Sequence, residues 1–140
     1  MTPPLDHYEF ERWREQASRA LDAAELVRGR PEWACFLSEQ AAQLAVKALL
    51  HGIGEGAWGH DLTVLVARAA AALEEAWDPG LGNVAARLSR HYIPTRYPDA
   101  HPTGPPGAHY TDLDAEQALA DARLVLETVG VAWQTVQGTD

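Results

Sequence analysis

The 140-residue chain has a single cysteine, Cys35, so no internal disulfide framework is open to it. The apolar neighbours Trp33, Ala34, Phe36 and Leu37 mark that residue as a small buried thiol rather than a nucleophile. Long apolar runs are also missing. No stretch approaches the roughly 18 uninterrupted apolar residues of a membrane span, and the segment before Pro31 is too charged for a signal peptide. A soluble, cytoplasmic protein with no membrane partner is expected. Period-two alternation is lacking, which argues against a sheet protein, and there is no internal repeat. The glycines of GIGEG, Gly52 to Gly56, follow a helical stretch with no strand before it, so they read as a linker turn and not a phosphate cradle. The histidines at 7, 51, 60, 91, 101 and 109 have no metal-site spacing, and neither a metal nor a cofactor is expected.

Positive charge is scarce as well. Eleven basic residues face twenty acidic ones, for a net charge of −9, which excludes a protein that coats nucleic acid through phosphate neutralisation alone. The deficit is uneven. Between Gly80 and Tyr110, Arg87, Arg90 and Arg96 are opposed only by Asp99, leaving that stretch at +2 and the remainder at −11. His91, His101 and His109 fall in the same stretch.

What the chain does have is apolar residues at spacings of three and four. Phe10, Trp13, Ala17, Ala20, Leu21 and Ala24 define an amphipathic helix from about Asp6 to Val27, which Gly29 can end. Pro31 suits the first turn of a second helix, where a missing N–H costs nothing. That helix carries Trp33, Leu37, Ala41, Leu44, Ala45 and Ala48 as its stripe and has the most buried character of the set. Asp61 is placed to cap a third helix through Leu62, Leu65, Val66, Ala69, Leu73 and Ala76, stopped by Asp78, Pro79 and Gly80. A short fourth helix holds Leu81, Val84, Ala85 and Leu88 and ends near Tyr92. Thr111 and Asp114 have capping-box spacing and open a last helix through Ala115, Ala118, Ala122, Val125, Val129 and Trp133.

At 15.3 kDa these elements make one domain, residues 1–140. The predicted fold class is all-α: an antiparallel up-and-down bundle of four long helices plus one short helix, with a long proline-rich loop before the last. Small residues at 17, 20, 41, 45, 69 and 72 allow close helix approach, while Trp58 and Trp77 lie near helix ends, where a second subunit could meet them.

The loop, residues 93–111, exceeds the usual connection in a bundle, and loops of that length are commonly functional. Pro94, Pro98, Pro102, Pro105 and Pro106 restrict its backbone, so Arg96 and His101 stand on a stiff support. A structural reading is also open, in which Arg96 ties the loop to a bundle carboxylate and His101 is a solvated loop residue.

Four stretches carry a family resemblance: QAAQLAVKALL (Gln40 to Leu50), GHDL (Gly59 to Leu62), HYIPTRYPDA (His91 to Ala100) and YTDLDAEQALADARLVLE (Tyr110 to Glu127). Together they resemble HEPN domain proteins, of the small prokaryotic kind paired with minimal nucleotidyltransferases. In active members an arginine followed by a histidine after four to six residues marks a ribonuclease site, and Arg96 and His101 match that spacing. The resemblance implies a metal-independent endoribonuclease, the toxin of a toxin-antitoxin pair. His101 would take the ribose 2′-OH proton and Arg96 would stabilise the phosphorane charge, giving 2′,3′-cyclic ends and leaving DNA untouched. Tyr97 and Asp99 would shape the pocket, with His60, Lys47 and Arg90 as further substrate-binding candidates. His60 and Lys47 also fit structural roles, at a helix start and as a snorkelling side chain. Gln40 interrupts an apolar face and is expected to bond another buried polar group. Two positions depart from the family pattern: Tyr97, where a polar residue often follows the arginine, and Gln43, where relatives often carry an acid. The alternative implied by the resemblance is a non-catalytic nucleotide-binding or docking module for a minimal nucleotidyltransferase. In either case a homodimer is implied, and RNA or a nucleotide is the expected ligand.

Overall fold

The computed structural model describes residues 4–74 and 77–138. Five α-helices fill it: α1 (His7–Leu26), α2 (Pro31–Gly52), α3 (Leu62–Leu73), α4 (Pro79–Ser89) and α5 (Asp112–Gly138). Two short 3-10 helices, Pro98–Ala100 and Pro106–His109, lie between α4 and α5, and no strand occurs among the described residues. No helix among them is long and apolar enough to cross a membrane.

Each helix starts where the sequence chemistry places it. The Asp6 carboxylate accepts from Glu9 N–H at 3.0 Å, Asp61 from Thr63 N–H at 3.0 Å and Asp78 from Gly80 N–H at 2.7 Å. Pro31 occupies the first turn of α2. Thr111 and Asp114 form the reciprocal box: Thr111 N–H donates to Asp114 Oδ2 at 2.8 Å and Asp114 N–H to Thr111 Oγ1 at 3.2 Å.

α2 is the hub, packed against α1, α3, α4 and α5. Its central run, Ala41, Ala42, Ala45, Val46, Ala48, Leu49 and Leu50, is wholly enclosed. Three residues assigned to its buried stripe are not in that core: Trp33 is 44% exposed, and Leu37 and Leu44 are half-buried. A helix surrounded by neighbours buries several faces at once, so a three-four spacing cannot single out one of them. Cys35 is fully buried, and that burial pushes its thiol up to about 12.

Two details of the bundle differ from the expected layout. α3 has 12 residues and α4 has 11, giving three long helices and two short ones. α3 stops at Leu73, where Glu74 takes the left-handed conformation at φ 54°, before the Asp78 stop signal; Ala76 lies outside the described residues. Nor is the order strictly up-and-down. Gly52 and Trp133 meet at one end while Cys35 lies near Tyr110 and Asp114 at the other, so α5 runs parallel to α2. Stacking of His60 on Tyr92 sets α3 against α4, and the Arg87–Asp121 pair sets α4 against α5. The connection from Ile53 to Asp61 therefore carries the chain back along α2 before α3 begins.

Trp133 closes the end of the bundle opposite the loop. Its ring stacks on Phe10 with centroids 4.1 Å apart, and a Cβ built on Gly52 would lie 2.6 Å from its Cζ3 and 3.0 Å from Phe10 Cβ. Gly52 thus lets two helices and an indole meet. Gly52→Ala gains up to about 1 kcal/mol of helix propensity but overpacks a rigid aromatic junction at a cost of about 1–3 kcal/mol. A net loss is expected, read as a melting temperature lower by a few degrees in thermal denaturation.

Candidate functional site

The chain from His91 to Arg96 continues the end of α4 as a series of turns. His91 N–H donates to Leu88 C=O, Tyr92 N–H to Ser89 C=O and Arg96 N–H to Ile93 C=O. Thr95, fully buried, donates its hydroxyl to His91 C=O at 2.6 Å. Local geometry thereby folds the Arg96 side chain back on its own turn. Its Nε and Nη2 both donate to Tyr92 C=O, at 2.9 and 2.7 Å, and its guanidinium lies 4.5 Å from the Phe36 ring centroid, 4.7 Å from Tyr92 and 5.0 Å from Tyr97. No carboxylate among the described residues pairs with it, so the reading of Arg96 as an ion-paired loop tether does not hold.

Behind Arg96, in α2, lies a carboxylate that sequence reasoning overlooked. Glu39 is fully buried; its Oε1 accepts from Gln40 Nε2 at 2.9 Å and its Oε2 accepts from Gln43 Nε2. Burial raises its pKa above the ordinary 4.5; the two amide hydrogen bonds and the His60 and Arg96 charges oppose that shift. Gln40 is thus bonded to a buried polar partner, as its place on an apolar face implied. The acid missing at Gln43 is supplied one helical turn earlier. The available signal was the polar run Ser38-Glu39-Gln40 inside an apolar helix.

His60 joins the same cluster. Its ring stacks on Tyr92 with centroids 4.2 Å apart and planes 5° from parallel, beside an open cavity of about 280 Å³ lined by His60, Asp61, Ser89, Tyr92, Ile93 and Pro94.

His101 belongs to a different group. Its Nε2 donates to Pro94 C=O at 2.7 Å, because a carbonyl can only accept, which leaves Nδ1 as the basic nitrogen. It stacks on His109 at 4.3 Å and meets the Tyr110 ring edge-on at 6.4 Å. His109 Nε2 donates in turn to Thr103 C=O at 2.6 Å, so both imidazoles brace the proline-rich loop. No hydrogen bond or ring contact among the described residues joins Arg96 to His101. His91 also packs on Tyr110, and burial lowers its pKa from 6.5.

The remaining candidates are dispersed. Tyr97 is 47% exposed over Arg96, and Asp99 is exposed on the first 3-10 helix. Arg90 is exposed at the end of α4, where its charge acts on His91. Lys47 lies two turns along α2 from Glu39, half-buried, with its charge acting on His51. Arg87, counted in the +2 segment, is bound bidentate to the buried Asp121 of α5 at 3.0 and 2.9 Å, so its charge is spent within the fold. No cluster of three or more metal-ligating side chains occurs among the described residues.

These features define a class: a single helical bundle with an arginine-centred polar cluster where α2, α3 and the end of α4 meet. The family model described as HEPN domain matches residues 10–132, and the chain belongs to the HEPN family. A crystal structure of a Thermus thermophilus protein is 41% identical, covering 88% of this chain and 97% of its own, with a TM-score of 0.83. An archaeal HEPN homologue is 35% identical over 86% of this chain and 94% of its own, with a TM-score of 0.71. A HEPN domain protein from Thermotoga maritima is 25% identical over 88% and 98%, with a TM-score of 0.70. No curated protein matches the chain.

Glu39 also predicts a pH signature. Its folded pKa lies above its unfolded value, so the folded state binds the extra proton; its contribution to stability is full below the unfolded pKa and is lost as pH rises through the folded one. Glu39→Gln should flatten this part of the profile. Subtracting the two unfolding curves from pH 4.5 upward should show wild type losing stability relative to the variant, and a pH-independent difference would contradict the assignment.

Proposed function

We propose that this HEPN chain is a phosphate-recognising module that binds a nucleotide through Arg96 and partners a minimal nucleotidyltransferase without itself cleaving RNA. One observation carries the reading: a guanidinium fixed by a backbone carbonyl and three aromatic rings, with no contact carboxylate among the described residues. Such a group is oriented before a ligand arrives, and no carboxylate among the described residues is in contact with it. Tyr92 and His60 supply stacked rings next to the open cavity, a surface suited to a nucleobase. As in the family resemblance, the working unit is a homodimer. Two copies of the segment around Arg90 and Arg96 would concentrate positive potential on an otherwise acidic protein.

A second reading has one observation in its favour. His101, at the family spacing from Arg96, has its tautomer set so that Nδ1 is free to accept a proton, as a metal-independent endoribonuclease would require. It needs the two groups to converge on one phosphate, and their separate contacts favour the binding reading.

Thermal shift and calorimetry with nucleotides should show saturable stabilisation of wild type. Arg96→Ala should weaken binding about 10- to 100-fold, the worth of a charge-assisted hydrogen bond of about 1.5–3 kcal/mol. His101→Ala should leave binding nearly unchanged. Incubation with total RNA in EDTA should give no cleavage; cleavage lost in both Arg96→Ala and His101→Ala would replace this reading with the ribonuclease.

A further inference from the structure

The least explained group in the molecule is the Glu39 carboxylate. It is completely buried, its bonded partners are the neutral amides of Gln40 and Gln43, and no ion pair among the described residues reaches it. A buried ionised carboxylate without a contact cation is costly, and a position serving only to fill α2 would be better occupied by an apolar residue. The charged or titratable groups that act on it are two: Arg96, whose guanidinium lies 4.5 Å from the ring of Phe36 one helical turn before Glu39 in α2, and His60, which stacks at 4.2 Å on Tyr92, the residue whose carbonyl holds Arg96. Arg96 carries the proposed phosphate contact, and His60 belongs to the ring surface beside it. An anion arriving at Arg96 therefore comes close to a negative charge already buried behind the guanidinium.

We propose that Glu39 is a proton-linked selector at this site: anion binding at Arg96 is coupled to protonation of the Glu39 carboxyl, so the site prefers its ligand when Glu39 is neutral. This rests on the reading of Arg96 as an anion site. When Glu39 is ionised it partly offsets the Arg96 charge and repels the incoming anion. When it takes up a proton from solvent, the Arg96 charge is left for the ligand. The amides of Gln40 and Gln43 support both states, since each presents an N–H to the ionised form and a carbonyl oxygen to the protonated one after rotation. Burial, which raises the carboxyl's pKa, brings this exchange nearer to neutral pH. By linkage, protonation of Glu39 strengthens anion binding by the same factor as the bound anion strengthens protonation of Glu39. Because one proton is exchanged, affinity falls by at most about tenfold per pH unit as Glu39 ionises.

Sulfate is the suitable probe because its charge stays constant from pH 5 to 8, unlike that of phosphate. Calorimetric titration of the full chain with sodium sulfate, at fixed ionic strength and in two buffers of different ionisation enthalpy, counts the protons taken up on binding. Wild type should take up a fraction of a proton, rising toward one within a window above pH 4.5, with affinity falling as pH rises. His60→Asn, at a residue of the proposed site, is read as protons per sulfate bound, and should keep that uptake whatever its effect on affinity. Glu39→Gln should abolish it and bind sulfate more tightly than wild type at pH 8. Uptake lost in His60→Asn would assign the proton to the imidazole and overturn the proposal. Arg96-dependent sulfate binding with no proton uptake would overturn it while leaving the phosphate-site reading intact. Absence of sulfate binding at every pH, or binding that survives in Arg96→Ala, would remove the phosphate site and this proposal with it. The wild-type and His60→Asn measurements decide the matter even if Glu39→Gln does not fold.

Discussion

Enclosure of α2 is the constraint on which the rest of this protein depends. A helix that packs against four others can carry only small or well-fitted side chains at its centre, which accounts for the alanines at 41, 42, 45 and 48. Buried polar groups it carries must find partners among its own residues or immediate neighbours or stay unbonded at a cost, as the Ser38 hydroxyl does. Glu39, Gln40 and Gln43 meet this requirement by bonding to one another along one helix. The same enclosure places the end of α4 and the start of α3 against α2, so Arg96 and His60 come within electrostatic reach of Glu39.

The proline-rich connection works differently from a tether that binds the bundle through ion pairs. Its order comes from short-range exchange: side chains of Thr95, Arg96, His101 and His109 each satisfy a backbone carbonyl within the same segment. Such self-satisfaction lets a long irregular stretch lie at the surface without leaving polar groups orphaned. It also gives Arg96 and His101 different contact partners. Arg96 is turned toward Phe36 and the α2 cluster, while His101 is turned toward His109 and Tyr110.

Much of the fold was legible because it is governed locally. The cap at Asp61, the Thr111–Asp114 box and Pro31 at the start of α2 all act over three or four residues, whereas Asp78, read as the stop of α3, instead caps α4. Buried Cys35 was readable for the same kind of reason, from its apolar neighbours. Other features were not. Trp33, Leu37 and Leu44 share the period of the α2 core without belonging to it, because the period marks a stripe and not which stripes find partners. The pairing of Arg87 with Asp121 joins residues 34 positions apart and removes a charge that a count along the chain assigned to the loop.

The amino-acid sequence alone determined the helical class, the helix starts, the stiff loop and the family, since each depends on contacts or motifs within a few residues. Tertiary structure alone decided the parallel run of α2, α3 and α5, the different ring contacts of Arg96 and His101, and the gathering of Glu39, His60 and Arg96. These rest on which faces lose water against one another, and a one-dimensional pattern specifies that a face must be buried without naming what buries it.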